Sequence, residues 1–196
     1  MKKKEEMMQD FILERSESIF IRKGYRNTSM DHVARACEIS KPTLYRYFDS
    51  KYELFMALYM RYQDWQFGRI REAAAQDKDR KQLLAELIGL TLNLAEEKKD
   101  FLKMVLREFH QIIHQNIDRH FKSHLRSHNE MIDWLADFLD GIIHPDIKAR
   151  CGSRMVAHTI FNMIQGVIMD IIMEDDIDLA QQRDFIVHFV RRGALS

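Results

Sequence analysis

The chain has 196 residues, of which 46% are hydrophobic and 31% are charged, and its 30 basic side chains balance its 30 acidic ones. This composition is ordinary for a soluble globular protein, and the zero net charge excludes a polycation. The two isolated cysteines, Cys37 and Cys151, exclude a disulfide framework and a cysteine-rich zinc site.

The distribution of charged and apolar residues bears on where the protein is located and on whether it binds a polyanion. Residues 1–51 carry eleven Lys or Arg against eight Asp or Glu, and a basic end on an otherwise acidic body is compatible with docking on a polyanion. No apolar signal-peptide segment follows the opening MKKKEEMMQD. The longest apolar stretch, residues 160–173, is interrupted by polar side chains and is too short to span a bilayer. We therefore expect a cytoplasmic protein with no membrane partner.

Apolar side chains recur at helical spacing along almost the whole chain, which predicts an all-α fold of about nine helices. Gly24 is a plausible C-cap for the first helix, and Pro42 lies near the first turn of a very short third helix. Pro145 is expected to separate the seventh helix from the eighth. In chain order the predicted helices cover residues 5–23, a segment capped by Thr28 or Ser29, a short segment capped by Ser40, and residues 51–75, 80–97, 101–114, 117–143, 147–174 and 179–192.

The first quarter of the chain contains two short predicted helices joined by a turn and preceded by a longer helix, which are the parts of a helix-turn-helix DNA reader. Residues 24–55 read GYRNTSMDHVARACEISKPTLYRYFDSKYELF. This segment resembles the signature of the TetR family of bacterial transcriptional regulators. The positions that carry the resemblance are Gly24, Thr28, Val33, Ala34, Ile39, Ser40, Thr43, Leu44, Tyr45, Tyr47, Phe48, Lys51 and Leu54.

The resemblance implies both an organisation and a function. It implies a helix-turn-helix DNA-binding domain at residues 1–50 and a larger helical ligand-binding and dimerisation domain at residues 51–196. Such a protein is not an enzyme, needs no cofactor and binds a palindromic DNA operator as a homodimer. We expect a repressor that a small apolar or amphipathic inducer releases from the operator.

The third helix is expected to face DNA. Ser40 exposes the N-terminus of this helix to phosphate, and Lys41 and Arg46 lie on or near its outward face. The resemblance adds Thr43, Tyr47 and Lys51, whose positions typically contact DNA in the family. The complete set of candidate DNA-binding residues is Thr28, Ser29, Ser40, Lys41, Thr43, Arg46, Tyr47 and Lys51.

The turn between the second and third helices departs from the family pattern. The family usually has Ala-Gly-Val there, whereas this chain has Cys37-Glu38-Ile39. Glu38 stands where glycine relieves a left-handed backbone, and its carboxylate would repel phosphate. We expect modest strain or a slightly altered turn, with DNA binding retained.

The predicted helix at residues 147–174 has an apolar band wider than a single core-facing stripe needs. A partner subunit would bury the excess, and Gly166 would allow the close approach of two helices. The alternative is a helix that is buried wholly within its own monomer. The candidate dimer-interface residues are Ile160, Ile164, Val167, Ile168, Phe185 and Phe189.

Aromatic and methionine side chains on the sixth and seventh predicted helices are typical of an apolar ligand cavity, although they also simply fill cores. The candidate pocket residues are Phe101, Met104, Val105, Phe109, Trp134 and Phe138.

Five histidines, at positions 110, 114, 120, 124 and 128, recur at a spacing that places pairs on one helical face within reach of Zn²⁺ or Ni²⁺. Arg119, Lys122 and Arg126 crowd the same region and favour a solvated face, so we expect no metal site. Two other functions stay open. One is a helical metal-dependent enzyme that uses these histidines, and the other is an architectural DNA-binding protein that has no inducer.

Overall fold

The structure is a computed structural model that describes residues 2–115 and 117–195, with the side chains of Lys2 and of residues 109–125 outside the description. Over this part of the chain nine α-helices and no strand are formed, which confirms the predicted all-α class. The helices are α1 (Lys2–Lys23), α2 (Met30–Ala36), α3 (Lys41–Tyr45), α4 (Lys51–Ala74), α5 (Arg80–Glu97), α6 (Lys99–Gln115), α7 (Ile117–Leu139), α8 (Pro145–Met173) and α9 (Leu179–Gly193).

Short polar side chains begin several of these helices. The N-terminal backbone N–H groups of a helix have no partner within the helix, and an oxygen of the capping residue accepts from one of them. These bonds are donated to Ser29 by His32 N at 3.2 Å, to Ser40 by Thr43 N at 3.2 Å, to Asp79 by Gln82 N at 2.9 Å and to Asp178 by Gln181 N at 3.0 Å.

Two predicted boundaries in the second half of the chain were wrong. The seventh helix ends at Leu139 rather than at residue 143, and Ile143 instead forms an isolated bridge with Leu195. Pro145 starts α8 rather than lying ahead of it, with His144 as the N-cap. Proline is well tolerated there because the first N–H groups of a helix have no intrahelical acceptor.

The chain packs into two compact units. Unit 1 comprises Met1–Asp64 with Asp100–His120, and unit 2 comprises Trp65–Lys99 with Phe121–Ser196. These two units are defined by how the residues pack. The predicted domains at residues 1–50 and 51–196 are defined by function, and the functional division stays a prediction.

The core of unit 1 holds the short helices α2 and α3 in place. Phe20 of α1 and Phe55 of α4 are both fully buried, and their rings meet edge to face with centroids 5.9 Å apart. Val33 and Leu44 bring α2 and α3 into the same apolar cluster, and neither is exposed. Helices of seven and five residues are unstable in isolation, so this tertiary packing supplies their stability.

Helix α8 packs against α5 and α9 within unit 2. Its backbone leaves helical geometry at Gly152, where φ is 72° and ψ is 155°. By length and composition α8 is long and apolar enough to cross a membrane, and among the described helices it is the one that meets this test. The sequence led us to expect a segment too short to span a bilayer, because the apolar stretch covers only residues 160–173. The helix that contains this stretch is much longer. A core helix meets the same test, and residues buried inside unit 2 line one face of α8.

Candidate functional site

The turn between α2 and α3 has the left-handed backbone predicted at Glu38, where φ is 55°. Glu38 N donates to Arg35 O at 3.2 Å, and Ile39 N donates to Ala34 O at 3.0 Å. This pair of bonds is the Schellman motif that commonly ends a helix, with Glu38 at the position usually taken by glycine. The chain therefore keeps the turn geometry without the residue best suited to it.

Helix α3 begins in a small polar cluster. The hydroxyl of Ser40 caps the helix and lies 2.7 Å from the hydroxyl of Thr43. The ammonium of Lys41 pairs with Asp31 of α2 at 3.1 Å, and about half of each side chain is exposed. An exposed ion pair contributes little stability, so Lys41 can exchange its carboxylate for a phosphate at small cost.

The outward face of α3 carries Lys41, Tyr45 and Arg46, all of them exposed. Tyr45 is 41% exposed and was not among the sequence-derived candidates, although it lies within the motif. An exposed tyrosine beside charged residues is the signal that could have identified it. Tyr47 is half-buried and packs against the core of unit 1, which leaves part of its ring available to a partner.

Thr28 and Ser29 build the turn that leads into α2. Thr28 is 2% exposed, and its hydroxyl donates to Gly24 O at 2.8 Å. Ser29 and His32 cap each other, because Ser29 N donates to His32 Nδ1 at 3.3 Å and His32 N donates to Ser29 Oγ. The burial of Thr28 argues against a direct DNA contact, whereas half-buried Ser29 remains a candidate.

Lys51 has a structural role that sequence reasoning missed. Its ammonium donates to Tyr25 O at 2.7 Å and to Arg26 O at 3.5 Å, and it lies 4.2 Å from the centre of the Tyr25 ring. Desolvation lowers the pKa of Lys51, and the nearby carboxylate of Glu108 partly opposes that shift. Lys51 thus ties the start of α4 to the segment that follows α1. No simple sequence pattern signals a bond between residues 26 positions apart.

A cavity in unit 2, here called the unit 2 cavity, is lined by side chains of α4, α5, α7 and α8. Trp134, one of the predicted pocket residues, is among the residues that line it. Phe138 does not line it but stacks on Trp134, with ring centroids 5.9 Å apart.

The other predicted pocket residues do not join Trp134. Phe101, Met104 and Val105 are buried in the core of unit 1. The side chain of Phe109 lies outside the described residues. Helical periodicity identified the apolar face of α6 correctly, but it could not show which neighbours that face packs against.

The predicted dimer residues divide into two groups. Ile160, Ile164, Val167 and Ile168 are at most 8% exposed within their own subunit, so their side chains are not available to a partner. The physical reason is that α8 packs against other helices of its own unit, among them α5 and α9. Phe185 and Phe189 on α9 are 63% and 56% exposed, as an interface residue of the free monomer should be. Three methionines on α8 also remain exposed, and these are Met155, Met169 and Met173.

Four of the five histidines considered for metal binding have side chains outside the described residues, namely His110, His114, His120 and His124. His128 meets His158 edge to face with ring centroids 5.8 Å apart. Burial lowers the pKa of His128, and repulsion from His158 and Arg154 lowers it further. Among the side chains that the structure does describe, no three potential metal ligands cluster.

Comparison with known proteins agrees with the sequence motif. The family profile described as "Bacterial regulatory proteins, tetR family" matches residues 12–58. The HTH-type transcriptional regulator YuxN of Bacillus subtilis is 37% identical over 109 residues, which is 55% of this chain and 36% of that relative. The HTH-type transcriptional activator FasR of Mycolicibacterium smegmatis is 28% identical over 90 residues, which is 46% of this chain and 41% of the FasR chain. The match thus reaches well under half of the length of these relatives.

A solved structure matches the fold over nearly the entire length of this chain. The fatty acid degradation regulator FadR of Bacillus halodurans superposes with a TM-score of 0.73, covering 95% of both chains. Its sequence is only 16% identical, so the likeness concerns the fold alone.

Proposed function

We propose that the chain is a regulator of the TetR family that binds a palindromic operator as a homodimer and represses transcription until a small ligand releases it. The proposal includes a DNA-binding domain at residues 1–50, a ligand-binding and dimerisation domain at residues 51–196, and a cytoplasmic location. The observation that carries it is the helix-turn-helix of unit 1, which leaves the basic outward face of α3 uncovered.

The chemistry of α3 suits a DNA groove. Arginine is the commonest side chain in specific contacts with guanine, and lysine suits either guanine or phosphate. Exposed Arg46 and Lys41 provide these groups, and the aromatic ring of Tyr45 adds an apolar surface with a hydroxyl. The hydroxyl of Thr43 lies on the same short helix and is half-buried.

The exposed apolar residues of α8 and α9 support the dimer. Phe185 and Phe189 stack with ring centroids 6.3 Å apart and stay largely exposed. Met155, Met169 and Met173 of α8 are further exposed apolar side chains. A second copy of the chain would bury such side chains, and a two-fold dimer matches the symmetry of a palindromic operator.

The unit 2 cavity supports a ligand that controls DNA binding. It is predominantly apolar, as small-molecule sites usually are, and it favours an apolar or amphipathic inducer over a sugar or nucleotide. FadR of Bacillus halodurans is described as a regulator of fatty acid degradation, which agrees with an apolar effector. FasR of Mycolicibacterium smegmatis is named as an activator, so the sign of regulation needs a direct test.

The deciding experiment measures binding to the promoter region upstream of the chain's own gene, with random DNA of equal length as competitor. We expect specific binding with two-fold symmetric protection, and a roughly tenfold loss on Arg46→Ala. Arg150→Ala, which removes an exposed arginine of unit 2, serves as the matched control. Equal affinity for promoter and random DNA at low salt would contradict the proposal, and a promoter reporter distinguishes repression from activation.

A further inference from the structure

The lining of the unit 2 cavity combines apolar walls with very few polar groups. Ten of its thirteen lining residues are apolar, and the other three are Gln66, Thr91 and Gln165. None of the thirteen carries an ionisable side chain. Placing a full charge against such walls without a counter-charge is strongly unfavourable. The cavity therefore disfavours carboxylates and ammonium ions.

One polar group of the lining is incompletely satisfied. The side-chain Nε2 of Gln66 is buried and has no hydrogen-bond partner in the structure. By contrast, the hydroxyl of Thr91 donates to Leu87 O at 2.8 Å. A buried donor without an acceptor is destabilising, and a ligand acceptor that reached it would remove that penalty.

The present cavity is small. Its volume is about 60 Å³, whereas an engineered protein cavity that binds benzene measures about 150 Å³. A ligand of aromatic size must therefore displace lining side chains. Met131 is one of them, and its unbranched thioether chain adapts readily to a new neighbour.

We propose that the unit 2 cavity binds a small, neutral, largely apolar molecule through one hydrogen-bond acceptor, such as a carbonyl oxygen, which receives an N–H of Gln66. This inference rests on the proposed ligand-responsive function and specifies the chemical class of its ligand. The apolar body of the ligand packs against walls that include Trp134 and Phe161. Gln66 selects for the acceptor, and the uncharged lining selects against ions.

Three probes of similar size test the two selections separately. Acetophenone has the carbonyl acceptor, α-methylstyrene replaces that oxygen by a methylene group, and benzoate carries a negative charge. Binding is measured on the full chain without DNA, by calorimetry and by tryptophan fluorescence. We expect acetophenone to bind about tenfold more tightly than α-methylstyrene, with benzoate the weakest. Absence of acetophenone binding at millimolar concentration, or a preference for benzoate, would overturn the proposal.

Variants assign the selection to Gln66. Gln66→Met keeps the length of the side chain but removes the donor, so we expect the acetophenone preference to disappear while α-methylstyrene binds at least as well as before. Gln165→Met changes another glutamine of the same lining and should keep the preference. A preference that survives Gln66→Met would refute the role of Gln66. If Gln66→Met does not fold, the order of the three probes on the wild-type chain still decides the ligand class.

The failure of this inference can be distinguished from failure of the proposed function. Release of promoter DNA by acetophenone is measured in a separate titration. If acetophenone binds as expected but promoter affinity does not change, ligand-controlled regulation is wrong and the cavity chemistry stands. If another class of molecule releases the DNA while acetophenone does not bind, the regulation stands and the cavity chemistry is wrong.

Discussion

Replacing Glu38 by glycine should stabilise this protein, although it deletes a whole side chain. At a φ of 55° the backbone of Glu38 is left-handed, which costs a residue with a Cβ roughly 1–2 kcal/mol. Glycine avoids this cost but loses more conformational entropy on folding, by roughly 0.5–1 kcal/mol. The difference leaves a net stabilisation of about 0.5–1 kcal/mol. For a chain of this length that corresponds to a rise in Tm of about 1–4 °C.

The matched variant Glu38→Gln separates backbone strain from charge. It removes the carboxylate but keeps the Cβ. Its free energy of unfolding should therefore stay within about 0.5 kcal/mol of that of the wild type. Both variants should bind promoter DNA more tightly at low salt, because the exposed carboxylate no longer repels phosphate.

Thermal unfolding followed by circular dichroism at pH 7 measures the first effect, and fluorescence anisotropy on the promoter measures the second. A lower Tm for Glu38→Gly would refute the reasoning from backbone strain. An equal rise in Tm for both variants would assign the effect to the charge.

Three further predictions concern the DNA face, the histidine pair and the dimer. Arg46→Ala should reduce the slope of log affinity against log salt concentration by about one without changing Tm. Lys51→Ala should instead lower the free energy of unfolding by about 1–3 kcal/mol, because it removes the donor to Tyr25 O. An unchanged Tm for Lys51→Ala would refute its structural role. Because the pKa of His128 is lowered in the folded state, its contribution to stability is fully present above the unfolded pKa of about 6.5 and is lost as the pH falls from there through the lower pKa of the folded state. His128→Gln should therefore flatten the acid side of a urea-unfolding profile against pH. Phe189→Ser should convert a dimer to monomers in analytical ultracentrifugation with no loss of helix content, and the exposed Met7→Ser serves as control; a wild-type monomer at micromolar concentration would contradict the dimer.

Local patterns in the sequence predicted local structure well. The range predicted for α5, residues 80–97, coincides with the helix observed, because Asp79 caps its start and its apolar residues keep strict helical spacing. The left-handed conformation of Glu38 was also predicted and is confirmed, since it follows from the position of one residue in a known turn.

Residues whose roles depend on burial in the folded chain or on distant partners could not be predicted in the same way. Thr28 was a candidate for DNA contact, but Gly24 O takes its hydroxyl and the surrounding fold buries it. Lys51 was a candidate phosphate anchor, but its ammonium binds carbonyl oxygens 26 and 25 positions earlier in the chain. Ile164 was a candidate for the dimer interface because α8 is apolar on a wide surface, and periodicity does not show which side α5 and α9 cover.

The composition of the unit 1 core affects how the protein folds during its synthesis on the ribosome. Phe101, Met104 and Val105 complete a cluster whose other buried members all precede residue 59. At about 5–20 residues per second, the ribosome needs roughly 2–8 s to extend the nascent chain from residue 64 to residue 105. Throughout that interval the apolar faces of α1 and α4 lack these neighbours. The DNA reader is therefore translated first but matures only after α6 has emerged, and in that window a chaperone that recognises apolar segments would find its binding site.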